Sequence, residues 1–424
     1  MEDGLFSPSD AAPQSRRRNR RERRGPKPEP LRIDLTLADM GHEGRALGRD
    51  QGRVIFADFA IPGERAVVEL YRNRTDYGQG TVIQVIDASP DRVTPPCPYF
   101  GTCGGCQWQH IAYERQLELK RHVVKEQLRR IAKLPDQQVE QTVPGEPWGY
   151  RNHVRFSANG SGEVGFVRRA SRNFLRVEQC LIARPEINDV LAKVQGSATG
   201  LHQVEVRVGV NTGEVLVEPN LQGLSNVEAG PENKPSRHQR GSYHDTLLGV
   251  PFQVNMASFF QSNTQQAERL AQMVLDRLAL TGGEVVVDAY AGVGTFAALL
   301  APLAGEVVAI EEAPSAIVDA NVNTAHLPNV RHIEGKVEDI LPSLELKPDA
   351  LLLDPPRQGC HPAAVGAVIS MAPPKLVYVS CDPATLARDL RLLIDGGYEL
   401  LEVAPIDLFP QTYHTEVVCT LRHV

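Results

Sequence analysis

The sequence predicts an α/β protein in three parts: a small N-terminal β-barrel, a β-rich central domain, and a C-terminal domain on a seven-stranded, mostly parallel sheet with helices on both faces. Three observations lead there. At 424 residues the chain exceeds what a single hydrophobic core usually serves, so two or three cores are expected. Short apolar stretches punctuated by glycine turns run from Leu31 to Ala88. After Asn263, apolar strand-like runs alternate with helical periodicity. The expected boundaries are a basic tail over 1–30, the barrel over 31–90, the central domain over 91–260 and the C-terminal domain over 261–424.

The net charge of −7 argues against nucleic acid only superficially, because it is unevenly spread. Arg16 to Arg24 carries roughly +6, Asp91 to Cys180 about +5 and Leu181 to the end about −13. No apolar run reaches about 18 residues, and Met1 to Pro30 lacks a secretory h-region; a soluble cytoplasmic protein, expected to be monomeric, follows. The seven cysteines are an odd number in a large chain of that kind, which favours metal binding or catalysis over disulfides.

Residues 1–30, rich in Pro, Ser and Arg, cannot bury enough surface to offset ordering entropy and are expected to be disordered. Strands are expected at Leu31–Leu37, Gly44–Asp50, Gln51–Phe56, Arg65–Asn73 and Gly78–Asp87, enough for a small barrel. Its segment Gly41-His42-Glu43-Gly44-Arg45-Ala46-Leu47-Gly48, followed by Pro62-Gly63-Glu64, resembles a TRAM domain, an oligonucleotide-binding-like barrel of RNA-modifying enzymes. A helix between Cys106 and Lys133 places Leu117, Val124, Leu128 and Ile131 on one face. Lys120, Arg121, Lys125, Arg129 and Arg130 form a basic remainder, read as solvated or as phosphate-binding, and the helix is expected to pack on the C-terminal domain. Arg151 to Val177 alternates like antiparallel strands and carries six arginines; Val204–Val217 and Tyr243–Gln253 continue the β-rich part, around a polar loop over Pro219–Arg240. Asn263 can cap a helix through Leu280. Seven strands then follow, at Glu284–Ala289, Glu306–Glu311, Val330–Glu334, Ala350–Leu353, Leu376–Ser380, Leu400–Ala404 and Val417–Arg422, with the last two expected to be antiparallel.

Chemistry is concentrated in three places. Cys97, Cys103 and Cys106 have the spacing C-x5-C-x2-C with glycines between them, and Cys180 lies downstream. Four thiolates with glycine-rich turns can wrap an iron–sulfur cube; a four-cysteine zinc site and plain core thiols are the alternatives. The second place is Val285-Val286-Val287-Asp288-Ala289-Tyr290-Ala291-Gly292-Val293-Gly294, an apolar strand running into a glycine turn. Glu311 ends the next strand, where a carboxylate can accept both ribose hydroxyls. A turn with this few N–H donors suits a nucleoside sulfonium better than a pyrophosphate, so S-adenosylmethionine is the expected cofactor. Third, Asp354-Pro355-Pro356-Arg357-Gln358-Gly359 and Ser380-Cys381-Asp382-Pro383 each follow a strand, and Phe409 to Glu416 precedes the last one. A lone cysteine at the mouth of an open sheet is a candidate nucleophile, with Asp354 and Glu416 available for proton transfer. The start of the helix at Pro383 should favour its thiolate.

With these motifs and Phe259-Phe260-Gln261-Ser262-Asn263, which matches F-x-Q-x-N, the chain from Leu31 onward closely resembles the RNA (uracil-5)-methyltransferases. The resemblance implies a class I methyltransferase Rossmann-like domain, with Cys381 as nucleophile and Glu416 as the base for the C5 proton. It places Gln261, Tyr290, Gly292, Gly294, Glu311 and Asp354 at the S-adenosyl-L-methionine site, and Cys97, Cys103, Cys106 and Cys180 on a [4Fe-4S] cluster. Thr295, where relatives often carry Asn, and Ser262, where valine is common, depart from the pattern. The chemistry is coherent with the residues: a thiolate added at uracil C6 makes C5 nucleophilic, and a carboxylate then removes the C5 hydrogen. By the same resemblance the partner is RNA, with 23S rRNA expected because relatives bearing both barrel and cluster mostly act there, and tRNA the alternative; a non-catalytic RNA-binding iron–sulfur protein is the alternative from a different class. The target base must leave its stack to reach Cys381.

Overall fold

The structure, a computed structural model, describes residues 30–221, 223–227 and 241–424. The Arg16–Arg24 cluster and most of the loop after Pro219 lie outside the described residues. Five strands close the N-terminal barrel: β1 (Arg32–Met40), β2 (Ala46–Asp50), β3 (Arg53–Asp58), β4 (Arg65–Asn73) and β5 (Tyr77–Asp87), in the order β1-β2-β3-β5-β4. Every second residue of β1 near its end, Leu35 and Leu37, points inward and meets Ile55, Ile61 and Val68. Closure leaves no sheet edge unpaired.

The next helix, α1 (Tyr113–Gln127), starts later than its periodicity suggests and runs into a single π-helical turn over Leu128–Ala132. Its apolar residues serve two cores. Leu119 and Val123 join the barrel interior, whereas Val124 and Leu128 join the core beneath the C-terminal sheet. Ile131, expected on the buried face, is exposed, and Lys120, expected on the basic face, is completely buried.

In the central part β6 (His153–Ala158), β7 (Val164–Val167), β8 (Phe174–Arg176), β9 (Gln203–Val208) and β10 (Val215–Glu218) form a sheet of order β10-β9-β6-β7-β8. Helix α2 (Pro185–Val194) covers it through Ile187, Val190, Leu191 and Val194. The hairpin β11 (Ser242–Leu247) and β12 (Val250–Asn255) pairs separately and sends Tyr243, Leu247, Phe252 and Val254 into the C-terminal core.

Asn263 caps α3 (Thr264–Leu278) by accepting a hydrogen bond from the Gln266 N–H. The chain then alternates β13 (Val285–Ala289), α4 (Thr295–Leu300), β14 (Glu306–Glu311), α5 (Pro314–Thr324), β15 (Val330–Glu334), α6 (Val337–Ile340), β16 (Ala350–Leu353), α7 (Pro362–Met371), β17 (Lys375–Ser380), α8 (Pro383–Asp395), β18 (Tyr398–Ile406) and β19 (Glu416–His423). The sheet order is β15-β14-β13-β16-β17-β19-β18, with parallel pairing up to β17 and antiparallel pairing of β19 to both neighbours. Both faces are buried, which is why the strands read as apolar runs. Val286, Val307 and Leu352 face α3 and α4, while Val287, Val308 and Leu353 face α7 and α8. Among the described residues no helix is long and apolar enough to cross a membrane.

Candidate active site

Parallel strands end together, so the residues that follow them share one rim. Tyr290 follows β13, Glu311 ends β14, Asp354 follows β16 and Cys381 follows β17. Glu416 reaches the same rim from the opposite direction. Ser380 of β17 is paired with Val417 of β19, so one step along that antiparallel ladder sets Cys381 against Glu416. Nucleophile and base candidates are therefore held by the register of a buried strand pair.

The glycine turn is shaped to leave room. Gly292 has φ +56° with nothing within 4 Å of where a Cβ would sit, and its N–H donates to Glu311 Oε2 at 2.8 Å. The Ala313 N–H donates to Glu311 Oε1 at 2.7 Å, fixing the carboxylate at the strand end. Gly294 caps α4 in the left-handed region, where a Cβ would lie 3.2 Å from the Ala320 methyl. Tyr290 holds φ +72°, a strained value for a side-chain-bearing residue. Gln261 follows Phe260, which packs with Ala291 and Val293 of the turn, and its carbonyl accepts from Asn152 Nδ2 at 3.2 Å.

The rim is acidic. Burial pushes Asp354 up to about 7. Burial, with Asp354 adding, pushes Glu416 well above the carboxylate range, while Arg357 opposes. Asp288, to which the sequence assigned no role, is wholly buried; burial and then Asp354 raise it to about 8, against the Ala297 backbone N–H. Its position two residues before Tyr290 in the glycine motif was the available signal. An open glycine cradle, a carboxylate fixed at the strand end and buried acidic groups fit a cationic nucleoside such as S-adenosylmethionine.

Cys381 corrects one expectation. Its thiol is not depressed by the helix start but pushed up to about 12, by burial first and then by Glu416 and Asp354, against Arg357. The helix end is already occupied: Asp382 accepts from the Ala384 and Thr385 N–H groups at 2.9 and 3.0 Å, adding a negative charge where the dipole is positive. The other Asp382 oxygen lies 3.4 Å from Nε2 of His42, which belongs to the β1–β2 turn of the barrel. In the same turn the Gly44 carbonyl accepts from Trp108 Nε1, and a Cβ on Gly44 would fall 2.4 Å from the Tyr413 Cβ. His414 stacks on Tyr413 at 4.2 Å and is lowered to about 4 by burial, with Arg357, Lys120 and Arg151 adding.

Behind the rim, Lys120 Nζ contacts Asp407 Oδ1 at 2.5 Å and donates to the Phe409 carbonyl at 3.2 Å, and Tyr113 OH donates to Asp407 Oδ2 at 3.0 Å. A charge buried this deeply requires such pairing. Sequence reading missed this group because its partners are separated by nearly 300 positions.

The four cysteines stand elsewhere. Cys97, Cys103, Cys106 and Cys180 line one cavity of about 440 Å³ with Gly104, Gly105, Val154 and Val177. The Gly105 N–H points at Cys103 Sγ at 3.4 Å, and Asn188 brackets the Cys180 backbone. Burial pushes Cys106 up to about 12, and Cys180, Cys103 and Cys97 add to it, so the thiols act on one another. Among the described residues no group of three Cys, His, Asp or Glu side chains is close enough for a single metal ion. Four thiols on one cavity, with a backbone N–H on one sulfur and with Gln109, Arg151 and Arg155 also in the lining, are the donor type that a multi-iron cluster takes. On the adjoining β7–β8 turn, Arg168 and Arg172 are exposed, while Arg169 pairs with Asp58 of the barrel.

Known proteins resemble this chain over most of its length. Residues 249–424 match the family model described as tRNA (Uracil-5-)-methyltransferase. An uncharacterized RNA methyltransferase of Halalkalibacterium halodurans is 34% identical, the match covering 92% of this chain and 96% of that one. Another from Thermosynechococcus vestitus is 34% identical over 92% and 97%. Among solved structures, the Pyrococcus abyssi tRNA (uracil-54, C5)-methyltransferase in complex with S-adenosyl-L-homocysteine superimposes with a TM-score of 0.71 at 26% identity, over 92% of this chain and 99% of that one.

Proposed function

The chain belongs to the RNA (uracil-5)-methyltransferase family, S-adenosylmethionine-dependent enzymes, and from that premise we propose that it methylates C5 of a uridine through a transient bond between Cys381 and C6. The observation that carries the reading is the β17–β19 register, which sets Cys381 against Glu416 at the rim of the sheet. Gln261, Tyr290, Gly292, Gly294, Glu311 and Asp354 are the residues that would hold the methyl donor. When bound, the donor supplies an electrophilic methyl group on a positively charged sulfur, a charge that draws neighbouring acidic pKa values down.

With that charge in place Asp354 takes the Cys381 proton as Sγ bonds to C6, and the electron pair displaced from the C5–C6 double bond lets C5 accept the methyl group. Glu416 then takes the C5 hydrogen as a proton. The C6–Sγ bond breaks with its electrons returning to sulfur, the double bond re-forms, and Asp354 can return the proton to Cys381. Arg357, which lowers both Cys381 and Glu416, keeps the acidic rim workable.

The four cysteines would hold a [4Fe-4S] cluster that shapes the central domain, and the barrel would serve as a TRAM domain gripping RNA. The substrate proposed is 23S rRNA. A second reading, a tRNA T-loop uridine, is favoured by the likeness to the Pyrococcus abyssi enzyme, which extends across barrel and central domain as well as the catalytic part. Mapping 5-methyluridine in the 23S rRNA and tRNA of a deletion strain separates the two, and loss from neither pool would overturn both. Purified protein should form a denaturation-stable adduct with RNA containing 5-fluorouridine, and Cys381→Ala should form none.

A further inference from the structure

The segment leading to Glu416 is gripped largely from outside the catalytic domain. Four successive carbonyls each receive a donor from a different place. That of Leu408 accepts from Asn263 Nδ2, that of Phe409 from Lys120 Nζ, that of Pro410 from Tyr150 OH at 2.9 Å, and that of Gln411 from the Gln107 and Trp108 N–H groups at 3.1 and 3.0 Å. Gln107 and Trp108 directly follow Cys106. Gln411 is the pivot of this arrangement. It is 3% exposed and holds φ +68°, which is strained for a side-chain-bearing residue and persists only where surroundings over-determine it. Those surroundings are visible: the Gln411 N–H donates to Gln116 Oε1 at 3.1 Å, and Gln116 Nε2 donates back to Gln411 Oε1 at 3.0 Å. Gln116 is itself fully buried, and the two hydrogens of its Nε2 are shared among Gln411 Oε1 and the Trp108 and Ile111 carbonyls. A strained residue held by a reciprocal amide pair and by the chain next to a cysteine is an investment that local folding does not require.

We propose that Gln411 is a positioning residue for Glu416, and that through the Gln107–Trp108 strap the state of the cysteine site sets how firmly the base is aimed. The inference rests on the assignment of Cys381 and Glu416 made above. It locates the defect at one step. Bond formation between Cys381 and C6 does not use Glu416, whereas release of the methylated product does. A misplacement of the base by about 1 Å can slow its step about 10²-fold.

The test is single-turnover reaction of the full chain with uridine RNA and methyl donor, quenched in denaturant and resolved as free and covalently bound RNA. Gln411→Ala should form the adduct at the parental rate and release it about 10²-fold more slowly, so that bound RNA accumulates. Gln411→Gly, which relieves the strain but lacks the amide, should behave alike, and Gln116→Ala should reproduce the effect. Release at the parental rate in the glycine variant, or adduct formation and release slowed equally, would overturn the proposal. For the cysteine half, hydrogen exchange at the Gln107, Trp108 and Gln411 amides is compared before and after stripping the protein with EDTA and ferricyanide. Acceleration of about tenfold or more is expected, since these amides lose their acceptors in the opened state, and unchanged exchange refutes the link. If the parent forms no adduct even with 5-fluorouridine RNA, the Cys381 assignment itself fails, a result separable from normal adduct formation with normal release.

Discussion

A thiol pushed up to about 12 keeps its proton at neutral pH, and Cys381 is in that state because burial, Glu416 and Asp354 all oppose a negative sulfur. On the proposed mechanism the thiol is protonated in the free protein even with Arg357 beside it, and the positive charge of the methyl donor would favour its activation. Replacing Glu416 with Gln should leave bond formation intact and block proton removal, so a covalent protein–RNA complex should build up with ordinary uridine; a variant that turns over normally would exclude Glu416 as base. Asp288 gives a different prediction. Held near 8, it keeps a proton in the fold that an unfolded chain releases above about 4, so the folded state binds more protons between those values. Stability contributed by the neutral carboxyl is present at low pH and is lost as pH rises through that window. Asp288→Asn removes the titration, and its urea midpoint relative to the parent should rise between pH 5 and pH 8, by an amount worth on the order of 1 kcal/mol or more. A constant difference across that range would refute the assignment.

At the scale of elements, α1 is both a wedge between two cores and the source of the Lys120 ammonium that meets Asp407. Lys120→Met leaves Asp407 buried with, among the described residues, the Tyr113 hydroxyl as its remaining partner, and removing one member of such a pair costs about 3–5 kcal/mol. The loss should appear as a lowered denaturation midpoint by circular dichroism, and a change under about 1 kcal/mol would mean that the pair is solvated in solution. How legible each element was follows from where its partners lie. The central strands of the catalytic sheet were plain because burial on both faces makes them apolar runs, and Ala350–Leu353 matches the structure residue for residue; Val330–Glu334 matches too, although it is an edge strand with none of its five residues buried. The rim residues were legible for the same reason, being those that directly follow such runs. Lys120 was not, because a basic helix reads as solvated until the carboxylate opposite it is known. Gln411 was invisible as a pivot, since a left-handed glutamine in a loop carries no periodicity and its partner Gln116 is far away in sequence.

Across the whole molecule the parts meet at the reactive centre. The barrel contributes His42 beside Asp382 and presses Gly44 against Tyr413, and the central domain contributes Trp108 and Tyr150. Gly44→Ala puts a methyl group where Tyr413 already is, at a φ of +73° that disfavours any side chain. Activity should fall and protease sensitivity at the barrel junction should rise, while donor binding to the sheet rim stays near the parental level; unaltered cleavage would show that the barrel docks elsewhere. Residues 249–424, the portion matched by the family model, would thus form a cofactor-binding body with its base loop unmoored. For anyone wishing to redirect such an enzyme to a new target, the barrel is not a detachable attachment. A barrel transplanted from a relative would arrive with a turn cut to fit a different Tyr413, and the graft would take only if the 407–415 loop travelled with it.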